Sequence, residues 1–184
     1  MSKLFIRKAT EKDCELVKKL VNEMYNIEYE VRDNFEISQA IKNQTEIYFF
    51  AYSGENVAGF SGASLNNDYY KDIISPDVAV IDYIYVTQFN SDLSTPFLLI
   101  NSLIKYLVEI GIKSAIMQVQ TSNKQRFFHY ALSNKNIIKS TPIVQHNQTY
   151  EDQILLIEDL TSVMNISMKD LMQKAYLFKH NKKV

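Results

Sequence analysis

One carboxylate stands alone inside an otherwise apolar run: Asp82, within Val78–Val86 (VAVIDYIYV). A carboxyl group withdrawn from water resists ionisation, so its pKa climbs toward the range where it can act as a base at neutral pH. The competing reading is an Asp at a barrel mouth, paired with a neighbouring basic group. Further along, Asn123 precedes Tyr130 by seven residues. A phenol with a pKa of about 10 is protonated at neutral pH and can donate a hydrogen bond or a proton. The chain holds 12 tyrosines, so one such spacing is a weak signal by itself. A second group is aromatic and acidic: Tyr25, Tyr29, Tyr69 and Tyr70, interleaved with Glu28, Glu30 and Asp68. Rings and carboxylates together suit a cationic amine, and the same composition also describes ordinary surface loops.

The elements that must position these groups follow from periodicity. Leu4–Arg7 is short and apolar enough for a first strand. Thr10 and Asp13 have the spacing of a capping box, ahead of Leu16, Val17, Leu20, Val21 and Met24 at helical intervals. Asn34 is placed to cap a second helix carrying Phe35, Ile37 and Ile41. Ile47–Tyr52, the turn SGEN and Val57–Leu65 read as a hairpin, and Asn66–Pro76 as a loop. Val78–Val86 is nearly continuous in apolar residues, as in a sheet covered on both faces. Alternation along it sets Asp82 on the side of Val80, Ile84 and Val86. Thr95–Pro96 suits the N-cap and first position of an amphipathic helix, which Gly111 should end. Ala115–Val119 is the next strand, Lys124–Leu132 the next helix, and Ile137–Val144 with Tyr150–Ile157 a last hairpin across HNQT. Ser167 and Asp170 then open a terminal helix over Leu171–Phe178 that ends in the basic KHNKK. Its default is packing on the domain; a dimer contact or a weak basic anchor are the alternatives.

Composition excludes several classes. A length of 184 residues suits one compact domain with a substantial core. A formal net charge of -1 gives no reason to expect nucleic acid as a partner. No segment reaches the roughly 20 apolar residues of a membrane span. The start MSKLFIRKAT lacks an apolar signal region, which argues against secretion. A single cysteine, Cys14, allows no internal disulfide and suits a reducing cytoplasm. The 3 histidines are dispersed, without metal-ligand spacing.

The order β-α-α-β-β-β-α-β-α-β-β, with Asn123 and Tyr130 behind the second of two core strands, resembles the GNAT-type N-acetyltransferases. The resemblance spans roughly Leu4–Ile157 and is best between Val80 and Tyr130. It implies an α/β (α+β) fold with a mixed, mostly antiparallel central sheet, flanking helices and splayed central strands. Residues 1–158 would form that domain and 159–184 a C-terminal helical extension packed on it. The implied co-substrate is acetyl-CoA, its pantetheine arm bonded to backbone groups of Ile84, Tyr85 and Val86. The pyrophosphate would lie at Ser91, Asp92, Leu93, Ser94, Thr95, Pro96 and Phe97, where a helix N-terminus favours an anion. Asn123 would orient the arm, Tyr130 would protonate the departing thiolate, and Asp82 would take the proton of the acceptor amine.

The loop departs from the family pattern. The positions of its basic residue and three glycines fall within Ser91–Pro96, and none carries either type. Glycine lets backbone approach phosphate closely, and Asp92 adds a negative charge where a pyrophosphate would lie. Two readings follow. One is an acetyl-CoA-dependent N-acetyltransferase acting on a primary amine of a small molecule or protein, cytoplasmic, without nucleic-acid, membrane or metal partners, with a two-fold homodimer as the default assembly. The alternative is a catalytically inactive GNAT-like binding or regulatory module that has lost CoA binding. An unrelated α/β domain with chance spacing is a third class.

Overall fold

The computed structural model describes residues 4–25, 32–65, 78–87, 94–119, 138–145 and 148–164. The chain forms two compact units, Met1–Pro76 with Ile81–Leu103, and Asp77–Val80 with Ile104–Val184.

In the first unit β1 (Leu4–Lys8), β2 (Glu46–Ser53), β3 (Asn56–Ser64) and β4 (Val78–Val86, of which residues 81–86 belong here) are neighbours in that order. β1 pairs antiparallel with β2, Ile6 facing Ala51. β2 and β3 form a hairpin in which Phe50 faces Phe60 and Glu46 faces Ser64. Gly54, at φ +63°, supplies the left-handed conformation that this tight turn needs. α1 (Cys14–Tyr25) and α2 (Asn34–Lys42) lie on one face of these strands. Val17 and Leu20 of α1 and Ile37 and Ile41 of α2 pack with Tyr48, Phe50 and Phe60, with Tyr83 and Tyr85 partly buried against them. Truncating any one of the four aliphatic side chains to Ala would cost about 2–5 kcal/mol through the cavity left behind.

The helix starts differ in detail from expectation. Asp33, not Asn34, caps α2: its carboxylate accepts from the Glu36 N–H at 2.7 Å, and Asn34 is already helical. The Thr10–Asp13 pair caps a 3-10 turn at Glu11–Asp13 that leads into α1, with Asp13 accepting from the Thr10 N–H at 2.7 Å. Asp13 also takes a two-pronged bond from Arg7, at 2.8 Å on each oxygen, which ties β1 to this turn. α3 runs Ser94–Glu109, so Thr95 and Pro96 sit inside its first turn and not at its cap. Proline is tolerated there because the first N–H groups of a helix have no intrahelical acceptor. Ser61, fully buried on β3, donates to the Leu99 carbonyl at 3.3 Å.

In the second unit the first residues of β4, Val78–Val80, are followed across the sheet by β5 (Ser114–Val119), β7 (Gln148–Ile157) and β6 (Ile138–Gln145). β7 pairs antiparallel with both β5 and β6, so it is the inner strand of the terminal hairpin. The C-terminus of α3 closes as expected. Gly111 takes φ +91°, its N–H reaches the Val108 carbonyl at 3.0 Å, and the Ile112 N–H reaches that of Leu107 at 2.9 Å. A short helix that the sequence did not announce, α4 (Leu160–Met164), follows β7. Asp159 caps it, accepting from the Thr161 and Ser162 N–H groups at 2.9 and 3.2 Å. The mixed α/β fold with antiparallel pairing matches the class expected from the sequence. The expected helices at Lys124–Leu132 and Leu171–Phe178 fall outside the described residues.

Candidate functional site

Asp82 sits midway along β4, half-buried. Its pKa is pushed up to about 6, first by burial and then by the nearby Glu46 carboxylate. Ser64 opposes this through hydrogen bonds from its hydroxyl and its backbone N–H, and the Arg32 charge opposes it least. A carboxyl group so placed is largely ionised at neutral pH and still basic enough to take a proton.

Around it the first unit gathers groups contributed by several elements. Glu46 opens β2 and lies across from Ser64 on β3. One oxygen of Glu46 accepts from Arg32 Nη1 at 2.6 Å, the other from the Tyr48 hydroxyl at 2.7 Å. The Tyr48 and Phe60 rings each lie nearly parallel to Tyr83, with centroids 6.0 and 5.7 Å away and planes 24° and 28° apart. Tyr25, near the end of α1 and 44% exposed, meets Tyr83 edge-on at 6.3 Å. Burial raises the pKa values of Tyr25, Tyr48 and Tyr83, with help from Asp82 at Tyr25 and Tyr83 and from Glu46 at Tyr48. All three phenols therefore stay protonated well above neutral pH.

Two glycines make this packing feasible. A Cβ on Gly62 would lie 2.6 Å from Tyr48 Cδ1 and 2.9 Å from Tyr83 Cδ2, so both rings use the space above its bare backbone. A Cβ on Gly59 would stand 2.4 Å from the Tyr85 carbonyl oxygen and 3.2 Å from the Val86 Cα, so β3 approaches the end of β4 too closely for any side chain. Thr87 secures the same end, its N–H bonded to the Ala58 carbonyl at 3.0 Å and its hydroxyl to that of Val57 at 3.1 Å.

Of the residues expected to hold the co-substrate, Ile84, Tyr85 and Val86 are half-buried and continue β4 directly from Asp82. Ser94 and Pro96 are half-buried, whereas Thr95 and Phe97 have no exposed surface, and Phe97 belongs to the core. The first turn of α3 carries no acidic side chain. Ser91, Asp92, Leu93, Asn123 and Tyr130 lie outside the described residues, as do Glu28, Tyr29, Glu30, Asp68, Tyr69 and Tyr70. Of the expected aromatic and acidic mouth, Tyr25 is thus the described member. Sequence reading missed Arg32, Glu46, Tyr48, Ser64 and Tyr83. The alternation Glu46, Tyr48, Phe50 on β2 was a readable signal, but the Arg32–Glu46 pair depends on tertiary structure.

A cleft of about 40 Å³ opens beside Arg32, lined also by Val17, Lys18, Val21, Asn22, Ile37, Tyr48 and Tyr83. It is a notch, well short of the roughly 300 Å³ that a small-molecule pocket needs. Among the described residues no group of His, Cys, Asp or Glu has the arrangement of a metal site, and no helix is long and apolar enough to cross a membrane.

No family profile matches the chain, and no curated protein matches it. Solved structures do. The diaminobutyrate acetyltransferase EctA of Paenibacillus lautus, bound to L-2,4-diaminobutyric acid and coenzyme A, superposes with a TM-score of 0.60 at 14% identity, covering 87% of this chain and 97% of that one. The PaiA N-acetyltransferase of Thermoplasma acidophilum, in complex with coenzyme A, gives 0.57 at 17% identity over 85% and 99% of the two chains. An aminoglycoside acetyltransferase from an uncultured soil metagenomic sample, in complex with trehalose, gives 0.62 at 15% identity over 80% and 97%. At such identities the likeness speaks for architecture, and, with further matches described as acetyltransferases of the GNAT family, the chain has the fold of the GNAT-type N-acetyltransferases.

Proposed function

We propose that the protein is an acetyl-CoA-dependent N-acetyltransferase that acylates a primary amine of a small molecule or protein. The observation that carries this reading is Asp82: a half-buried carboxyl with its pKa pushed up to about 6, on the strand that continues into Ile84–Val86. An amine reaches such a site mostly as its ammonium form. Asp82 takes the proton, the neutral nitrogen attacks the thioester carbonyl, and a C–N bond forms as the C–S bond breaks. Tyr130 supplies a proton to the departing sulfur and recovers the one that the acylated nitrogen releases, and Asn123 orients the pantetheine arm. Backbone groups of Ile84–Val86 hold that arm, and within the Ser91–Phe97 stretch the free N–H groups of the first turn of α3 face the pyrophosphate, the buried Thr95 and Phe97 side chains taking no part. A 16-residue helix without acid in its first turn supports the last assignment.

The missing loop glycines and Asp92 favour a second reading, a GNAT-like module without acetyl transfer. Calorimetric titration with acetyl-CoA, with free CoA as control, separates the two. Micromolar binding is the expected result. No heat and no thermal stabilisation at millimolar ligand would overturn the enzyme reading, since any useful affinity for the folded state raises stability by mass action.

A further inference from the structure

Two aspartates of the first unit meet arginine in opposite ways. Asp13 receives both prongs of Arg7 at 2.8 Å, and this hydrogen-bonded pairing holds its pKa down at about 2. Asp82 feels the Arg32 charge, yet that guanidinium donates at 2.6 Å to Glu46 and lies 3.9 Å from Glu36. The Tyr48 hydroxyl holds the other Glu46 oxygen at 2.7 Å, which fixes the carboxylate that receives Arg32. Glu46 in turn faces Ser64, the residue that hydrogen-bonds Asp82.

We infer that Glu46 is a positioning residue whose work is to draw Arg32 away from Asp82, so that Asp82 remains a base and not the fixed anion of an ion pair. This rests on the reading of Asp82 as the proton acceptor. The groups around Asp82 are Tyr25 from α1, Arg32 ahead of α2, Glu46 from β2, Ser64 from β3 and Tyr83 from β4 itself, with Glu36 on α2 3.9 Å from Arg32. Lys18 lines the same notch as Arg32 and Tyr83. The Arg7–Asp13 pair demonstrates within this protein what a released Arg32 would do, because a bidentate guanidinium bond stabilises the ionised carboxylate.

Carbon-13 NMR titration of the Asp82 side-chain carboxyl in the full chain tests this. Glu46→Gln should lower its pKa by about 1–3 units, because the repulsion is removed and Arg32 is released. Arg32→Gln should move it the other way, because the nearby cation is gone. The double variant Glu46→Gln/Arg32→Gln is decisive. Two fixed charges acting independently on Asp82 give shifts that add, whereas a released Arg32 that pairs with Asp82 makes most of the fall seen in Glu46→Gln vanish once Arg32 is also removed. Additive shifts, or no fall in Glu46→Gln, would overturn the inference, and if Glu46→Gln fails to fold, a lowered or unmoved pKa in Arg32→Gln does so alone. The titration needs no turnover, so it stands even if acetyl-CoA does not bind. With turnover, the acid limb of kcat/KM should follow the titrated values in each variant.

Discussion

At Asp82 the demands of the proposed reaction and of stability pull apart. Its folded pKa of about 6 lies above the ordinary carboxylate value of 3.8, so the fold favours the protonated form. The favourable contribution is complete below the unfolded pKa and is lost as pH rises through 6, a difference on the order of 3 kcal/mol. Asp82→Asn imitates the neutral form. It should raise the melting temperature at pH 8, change it little at pH 4, and lower acetyl transfer by roughly 10²-fold or more. Thermal melts at the two pH values, with an amine acetylation assay, check all three. Asp13 has the reverse sign. Its folded pKa of about 2 means that its stabilisation is present above the unfolded value and disappears as pH falls through 2. Asp13→Asn should cost about 1 kcal/mol in urea unfolding at pH 7, a figure discounted because solvent screens this partly exposed pair. The sequence announced Asp82, since one charge in an apolar strand is conspicuous. It did not announce which arginine would reach which aspartate, because Arg7 reaches Asp13 across a local turn and Arg32 is claimed by Glu46 on another element.

Among the elements, β3 shapes the site by what it omits. Gly59→Ala would place a methyl group 2.4 Å from a backbone carbonyl that cannot swing aside. A loss of about 3 kcal/mol is expected in denaturant unfolding. Gly62→Ala meets the Tyr48 and Tyr83 rings instead, which can shift. It should cost less, about 1–2 kcal/mol, and should also perturb the titration of Asp82, which NMR would detect. These glycines were legible as strand residues and not as packing surfaces, because their partners, Tyr85, Tyr48 and Tyr83, sit on adjacent strands. Hydrophobic periodicity recovered β1, β4, α1 and the terminal hairpin nearly to their ends, and the left-handed Gly111 marked the close of α3. Helix starts were less legible. Asp33 and Asn34 are both good caps, and the choice falls to the one whose carboxylate reaches the Glu36 N–H. α4 is too short for a periodic signal, and only its Asp159 cap could have hinted at it.

Across the whole molecule, the division into two units follows no boundary visible in composition, because β4 and α3 each contribute residues to both. Excising residues 104–184 would therefore cut through α3, and that fragment should give a far-ultraviolet spectrum without cooperative thermal unfolding. A cooperative transition in the isolated piece would contradict this expectation. The chain also contains no tryptophan, so its intrinsic emission belongs to its 12 tyrosines. The Asp82 charge helps burial to raise the pKa values of Tyr25 and Tyr83. An excited phenol is a far stronger acid than one in its ground state, and an ionised carboxylate beside it quenches its fluorescence by accepting its proton. The ring cluster is thus a built-in optical indicator: light from these tyrosines should dim as Asp82 ionises through pH 6, allowing its carboxyl to be followed in unlabelled protein.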